Sequence, residues 1–241
     1  MFAGPNGSGK STLKTVLDPK LLGVYLNPDE MEREMRATGL LDVNHYGVST
    51  TGEEATAFFR ESKFLRNAGP HNASERVRFD QGHLIFSDVA VDSYVASVTA
   101  DFLRQKLLAA KKSLTIETVM SHRGKVELLQ TAQDLGYRTY LYFIATEDPA
   151  INVSRVANRV RQGGHPVPED KIVKRYYASL NLLIDAIRRT NRAYLFDNSG
   201  HEQDRRWIAE VTNGSLLEMK SDLMPAWFKN AVWDKINPRT A

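Results

Sequence analysis

Gly4-Pro5-Asn6-Gly7-Ser8-Gly9-Lys10-Ser11-Thr12 is the stretch that decides the fold. It meets the phosphate-loop pattern G-x-x-x-x-G-K-[ST] at every fixed position. The chemistry accounts for the spacing. Gly4, Gly7 and Gly9 let the backbone curl around Asn6 and Ser8, so that several N–H groups point at one phosphate. A helix predicted over Lys10–Leu17 adds its N-terminal dipole. Lys10 neutralises the terminal phosphates, and the Ser11 hydroxyl, followed by Thr12, completes a magnesium shell. The competing reading is a glycine-rich turn without a ligand, which leaves the lysine and the hydroxyl pair unexplained. The expectation is an α/β P-loop NTPase or kinase fold that binds a nucleoside triphosphate with magnesium.

The rest of the chain repeats an α/β rhythm. Apolar runs at Val24–Leu26, Leu114–Ile116, Tyr140–Ile144 and Ala193–Phe196 read as buried parallel strands. Helical patterns separate them, at Glu30–Ala37, Ser93–Lys111, Gly124–Leu135, from Asp148-Pro149 to Gly163-Gly164, and from Pro168 to Arg189. Such alternation implies a mostly parallel sheet flanked by helices, with right-handed crossovers. Only Met1-Phe2-Ala3 precede the loop, so upstream residues are expected to complete the first strand. Residues 38–92 read as a mostly helical insertion or substrate lobe. Residues 205–241 read as a hairpin turning at Asn213-Gly214 and a last helix from Pro225 through Trp233. With neither repeat nor linker, the chain reads as one domain.

Composition bounds the function. The 241 residues are 42% hydrophobic and 25% charged, ordinary for a globular protein, with a net charge of only +3. That charge is poor support for a nucleic-acid partner. Cysteine is absent, which removes disulfides and thiolate metal sites. No apolar run has membrane-spanning length, and the expectation is a cytoplasmic protein.

The loop alone does not separate a kinase from a motor or a transporter ATPase. No LSGGQ-like signature, no apolar strand ending in Asp-Glu and no N-K-x-D motif is present. Small-molecule kinases remain. Asp29 lies just past the second strand, where a carboxylate can take a proton from an acceptor hydroxyl. Asn27-Pro28-Asp29-Glu30 is equally a good helix start. Glu117 ends the third strand, followed by Thr118, Ser121 and His122, and could hold a substrate hydroxyl or water-bound magnesium. It could also belong to a helix-capping cluster. Asp101 is an acceptor-side candidate if its helix is turned toward the site. Asn198, in the strand end Asp197-Asn198-Ser199-Gly200, is a candidate for the nucleotide. Arg155 and Arg159 share a helical face beside Gly163-Gly164-His165, as a cationic lid over the transferring phosphate would. A solvated basic face is the alternative. His165 and Arg175 are further candidates, whereas His71 and His83 read as surface or capping residues.

Taken together, GPNGSGKST (4–12), YLNPDE (25–30), LTIETVMS (114–121), RVANRVRQGGHPVPEDKIVKRY (155–176) and LFDNSG (195–200) resemble the zeta toxin family of P-loop kinases. The likeness is to its shorter members, often labelled predicted ABC-type ATPases. The resemblance implies a phosphotransferase with ATP or GTP as donor. It would place Asp29 as the proton-accepting aspartate, Glu117 as the acceptor-site glutamate, and Arg155 or Arg159 as the phosphate-contacting arginine. Toxic members phosphorylate the sugar 3′-hydroxyl of UDP-N-acetylglucosamine, and a partner antitoxin occludes their nucleotide site. Relatives act on other acceptors, including a nicotinamide dinucleotide. This chain departs in residues 38–92 and in carrying His165 where a second arginine is sought. Both departures bear on the acceptor and leave the donor side intact. A polynucleotide 5′-hydroxyl kinase is a competing reading, but it calls for a basic groove with interleaved aromatics. So is an NTP-gated binding module held by a protein partner.

Overall fold

The structure, a computed structural model, describes residues 1–15, 17–70, 72–164, 166–200 and 205–237. Along the chain the elements are β1 (Phe2–Ala3), a 3-10 turn at Lys10–Thr15, α1 (Pro19–Leu22), β2 (Val24–Leu26), α2 (Pro28–Thr38) and β3 (Leu40–Asp42). Next come α3 (Gly52–Glu61), α4 (Lys63–Ala68), α5 (Ala73–Arg76), β4 (Arg78–Asp80), β5 (His83–Ile85), α6 (Ser93–Ala109) and β6 (Leu114–Thr118). The remainder is α7 (Arg123–Asp134), β7 (Tyr140–Ala145), α8 (Pro149–Arg161), α9 (Glu169–Arg188), β8 (Arg192–Asp197), β9 (Arg206–Thr212) and β10 (Leu216–Met219). A final helical segment passes from α10 (Ala226–Phe228) through a π-helical stretch, Lys229–Trp233, into α11 (Asp234–Ile236).

The main sheet has seven strands in the order β10-β9-β8-β7-β1-β6-β2. β8, β7, β1, β6 and β2 run parallel, and the hairpin β9–β10 is antiparallel. This is the expected mostly parallel α/β sheet flanked by helices. The hairpin turns where Asn213-Gly214 predicts it, with φ of 49° and 71° at the two turn residues, the backbone that a tight hairpin requires.

The chain divides into two compact units, residues 1–16 with 117–241, and residues 17–116. In the first unit the apolar faces of β7 and β8 (Leu141, Phe143, Ala193, Leu195) pack with Leu183 and Ile187 of α9 and with Trp227 and Phe228. The Trp227 indole donates to Asp197 Oδ2 at 2.8 Å, tying the C-terminal helix to the end of β8. Caps start the helices where their sequences say they should. Asp148 accepts from Ala150 N at 2.7 Å, with Pro149 as the first residue of α8.

In the second unit, Met31 and Met35 of α2 join Phe59, Leu65, Leu84, Phe86, Val95, Phe102 and Leu103 in a separate core. α2 is capped by Asn27, whose Oδ1 accepts from Asp29 N at 3.0 Å, and ends at Gly39 in the left-handed conformation. The stretch 38–92 differs from its expected mostly helical form. It holds α3, α4 and α5 but also a three-stranded antiparallel sheet, β3-β5-β4. Those strands are only three residues long and part polar, too short for an alternating pattern to show.

The helix predicted over Lys10–Leu17 is instead a 3-10 turn over Lys10–Thr15. Threonine hydroxyls fold back on the local backbone here, Thr12 to Gly9 O at 2.7 Å and Thr15 to Thr12 O at 2.8 Å, a competition that disfavours a regular α-helix.

Candidate functional site

The Gly4–Thr12 loop leaves β1 at the middle of the sheet, between β6 and β7. Two close approaches explain its glycines. A Cβ on Gly4 (φ +141°) would lie 2.0 Å from the Ile144 carbonyl oxygen, and one on Gly7 (φ +74°) 2.7 Å from the Asn152 carbonyl oxygen on α8. Any side chain there would collide with fixed backbone.

Two buried asparagines hold the loop from outside. Asn152 Nδ2 donates to Asn6 O at 2.6 Å, and its own Oδ1 accepts from the Thr146 hydroxyl. Asn198 Nδ2 donates to Ser8 O at 2.8 Å, while Asn198 N bonds Ala145 O at 2.8 Å. Each amide takes a loop carbonyl. The loop carbonyls are thereby turned toward protein, which is how a chain presents its N–H groups to an anion. Lys10 Nζ lies back on Pro5 O at 2.9 Å, and the residue is only 8% exposed.

A cluster of buried polar atoms around this loop has no hydrogen-bond partner among the described residues. They are Asn6 Oδ1, Ser8 Oγ, Asn198 Oδ1, Arg155 Nη1 and Arg205 Nε. An unpartnered buried group typically costs about 1–3 kcal/mol, so native chains keep few of them. The serine hydroxyl and the two arginine N–H groups are donors suited to phosphate oxygens. The amide oxygens are acceptors suited to hydroxyls or bound water.

Ser11 Oγ donates to Glu117 Oε1 at 2.9 Å. Glu117 is 9% exposed and sits in β6 in register with Phe2 of β1. A hydroxyl and a carboxylate oxygen side by side are hard ligands that fit magnesium, which takes few protein ligands and fills its shell with phosphate and water. Among the described residues no three His, Asp or Glu side chains gather into a fuller metal cluster. Thr118 serves locally, its Oγ1 accepting from Met120 N at 3.1 Å in the turn after β6.

The two lid candidates differ. Arg155 is half-buried and its Nη2 donates to Gly200 O at 2.6 Å, which leaves Nη1 as one of the unpartnered groups. Arg159, one turn on, is exposed, and its carbonyl accepts from Gly164 N at 2.9 Å where α8 ends. His165 lies outside the described residues. Arg205 enters from the other side, its Nη2 donating to the Thr12 hydroxyl.

Asp29 and Asp101 belong to the second unit. Asp29 is exposed in the first turn of α2. The Asp101 carboxylate is engaged within its own helix, by Arg104 and by Gln105 Nε2 at 3.1 Å. Asn152, Thr146 and Arg205 escaped the reading of the sequence. A lone asparagine inside a helix and an arginine eight residues beyond the end of β8 carry no spacing signal, and only the folded chain brings them to the loop.

No protein-family model matches the chain. An uncharacterised protein of Haemophilus influenzae is 31% identical over 61 residues, which is 25% of this chain and 44% of that protein. Among solved structures, the AvrRxo1-ORF1:AvrRxo1-ORF2 complex with sulphate ions superposes with a TM-score of 0.54 at 16% identity, over 92% of this chain and 60% of the other. The same complex with ATP gives 0.52 at 16% identity, over 98% and 62%. Its native form gives 0.54 at 17%, over 92% and 60%. The chain thus spans less than two thirds of the length of the proteins it matches. At such identity the likeness establishes a shared α/β fold.

Proposed function

We propose that this chain is an ATP-dependent phosphotransferase of the P-loop kinase type, moving the γ-phosphate to a hydroxyl of a small molecule. The observation that carries the reading is the set of unpartnered buried donors, Ser8, Arg155 and Arg205, around a loop whose carbonyls are turned away by Asn152 and Asn198. The similarity in fold to a structure solved with ATP supports adenine nucleotide as donor.

Lys10 swings from Pro5 O to the terminal phosphates and offsets their charge. Ser11 and Glu117 would hold a magnesium ion, which would supply positive charge to the phosphates. Arg155 meets the transferring phosphoryl group, and Asp29 accepts the proton of the acceptor hydroxyl. The acceptor class, by resemblance to zeta-like kinases, is a nucleotide-activated sugar such as UDP-N-acetylglucosamine, or a dinucleotide. The fold neighbours are two-component complexes, which supports a protein partner for this chain, acting as an antitoxin acts on its toxin.

The test incubates the protein with γ-labelled ATP and a metabolite extract, with Lys10→Ala beside it. Label should move to a small acceptor in the wild-type reaction only. Equal transfer by both proteins, or no ATP binding by the wild type, sinks the proposal.

A further inference from the structure

Arg205 lies just ahead of β9 and is half-buried against the glycine-rich loop. One guanidinium nitrogen donates to the Thr12 hydroxyl, and that hydroxyl in turn donates to Gly9 O at 2.7 Å. Thr12 therefore bridges the arginine to the loop backbone. The Nε–H has no acceptor among the described residues. Burial pushes the guanidinium pKa down, and among the described residues no carboxylate pairs with it. Other arginines of this chain have such partners, Arg192 with Glu210 at 3.0 Å and Arg36 with Glu32 at 2.7 Å. A cation drawn partly out of water without a counter-charge costs the empty protein stability. An anion seated at the loop would supply that counter-charge and an acceptor for the Nε–H.

The bond to Thr12 also says which part of that anion. Lys10 marks the end of the loop that meets the terminal phosphates, while the loop N–H groups cradle the inner ones. Thr12 lies beyond Lys10 along the 3-10 turn, so Arg205 stands on the inner side.

We propose that Arg205 is a nucleotide-binding residue that contacts the α-phosphate of the nucleotide held by the Gly4–Thr12 loop. The assignment rests on the phosphotransferase reading above and adds a residue to its donor site. A contact to the α-phosphate is common to ATP, ADP and AMP, so it sets affinity without sensing whether transfer has occurred. Arg155, which the same reading places at the transferring group, discriminates among the three.

Calorimetric titration of wild type, Arg205→Ala, Arg205→Lys and Arg155→Ala with ATP, ADP and AMP separates these roles, with melting curves of the empty proteins alongside. Arg205→Ala should weaken all three nucleotides by one common factor, roughly 10- to 100-fold for a charge-assisted bond. Arg205→Lys should recover part of the loss. Empty Arg205→Ala should melt close to wild type, because it loses one bond to the Thr12 hydroxyl and relieves a partly desolvated charge. Arg155→Ala should weaken ATP selectively. Unchanged affinity for all three nucleotides in Arg205→Ala, a loss confined to ATP, or a loss that merely follows a lower melting temperature each overturns the assignment. A wild type that binds none of the three overturns the donor-site reading itself, a result distinct from an Arg205 variant that binds as the wild type does.

Discussion

The side-chain amide of Asn152 donates to the carbonyl of Asn6 at 2.6 Å, joining α8 to the phosphate loop across 146 residues of sequence. The same amide accepts from the Thr146 hydroxyl, and Asn152 is fully buried. Asn152→Ala removes the donor to Asn6 O and one of two acceptors of the Thr146 hydroxyl, which keeps Asp148 O at 3.3 Å. The expected cost is about 1–3 kcal/mol, read as a lower denaturation midpoint. ATP affinity should fall further than that loss of stability alone explains, because the loop loses the tether that orients it. An unchanged affinity in a folded variant would show that Asn152 only packs.

Lys10→Ala should keep the fold, since the bond from Lys10 Nζ to Pro5 O is local to the loop and ties no two elements together. Phosphoryl transfer should drop by a factor of ~10²–10³, as for loss of one preorganised electrostatic group. A single-turnover assay with labelled ATP checks it, and near-wild-type turnover is incompatible with Lys10 at the terminal phosphates.

Arg155→Ala should lower kcat for ATP more than it weakens ADP binding, as expected for a contact to the transferring phosphoryl group, which ADP lacks. Arg159→Ala, on the exposed turn that follows, should change kcat much less. Steady-state kinetics on the pair decide between a lid carried by Arg155 and a solvated basic face, which predicts small, equal effects for both.

These two arginines also measure what the sequence can reveal. The glycine loop, the parallel strands and the Asn213-Gly214 hairpin were legible because each rests on local chemistry: fixed spacing, an apolar run, a turn demanding positive φ. The small β3-β5-β4 sheet was not, because strands this short lack periodicity. Nor could helical spacing rank Arg155 above Arg159, since both lie on one face and only the position of Gly200 O separates them. Asn152, Asn198 and Arg205 reach the loop through tertiary contacts alone. Asn198 was singled out by its strand-end motif, whereas Asn152 and Arg205 have no motif around them.

Asp29 tests the acceptor side. Asn27 Oδ1 caps α2 by accepting from the Asp29 backbone N–H, which Asp29→Asn preserves. The melting curve should therefore match wild type, whereas phosphoryl transfer should fall by roughly 10²–10⁴-fold with ATP affinity nearly unchanged. Full activity in this variant places the proton acceptor elsewhere.

Alkaline pH should loosen the first unit through Tyr142. Burial, followed by the neighbouring Tyr194, pushes its phenol from 10.0 up to about 12; the two rings stack with centroids 4.8 Å apart. Below pH 10 the phenol is neutral in folded and unfolded chains alike, and its burial contributes fully. Between pH 10 and about 12 only the unfolded chain ionises, so stability declines as pH rises. Tyr142→Phe removes that ionisation and should make the fall in denaturation midpoint across this window shallower. An identical slope in both proteins assigns the alkaline loss to other groups.

β1 sits between β6 and β7, and the loop it carries is held by Asn152 and Asn198, the latter 190 residues from its partner Ser8. During synthesis the glycine-rich segment emerges from the ribosome well before either asparagine. At ordinary elongation rates the interval is on the order of ten seconds or more. Throughout that time the complete G-x-x-x-x-G-K-S motif exists as a nascent chain without the sheet that would shape it. A transcript truncated before β8, or a ribosome stalled there, would thus yield a product that carries the motif without the asparagine that holds Ser8 O. The shape of the loop arrives late in translation, as a property of nearly the whole of the first unit.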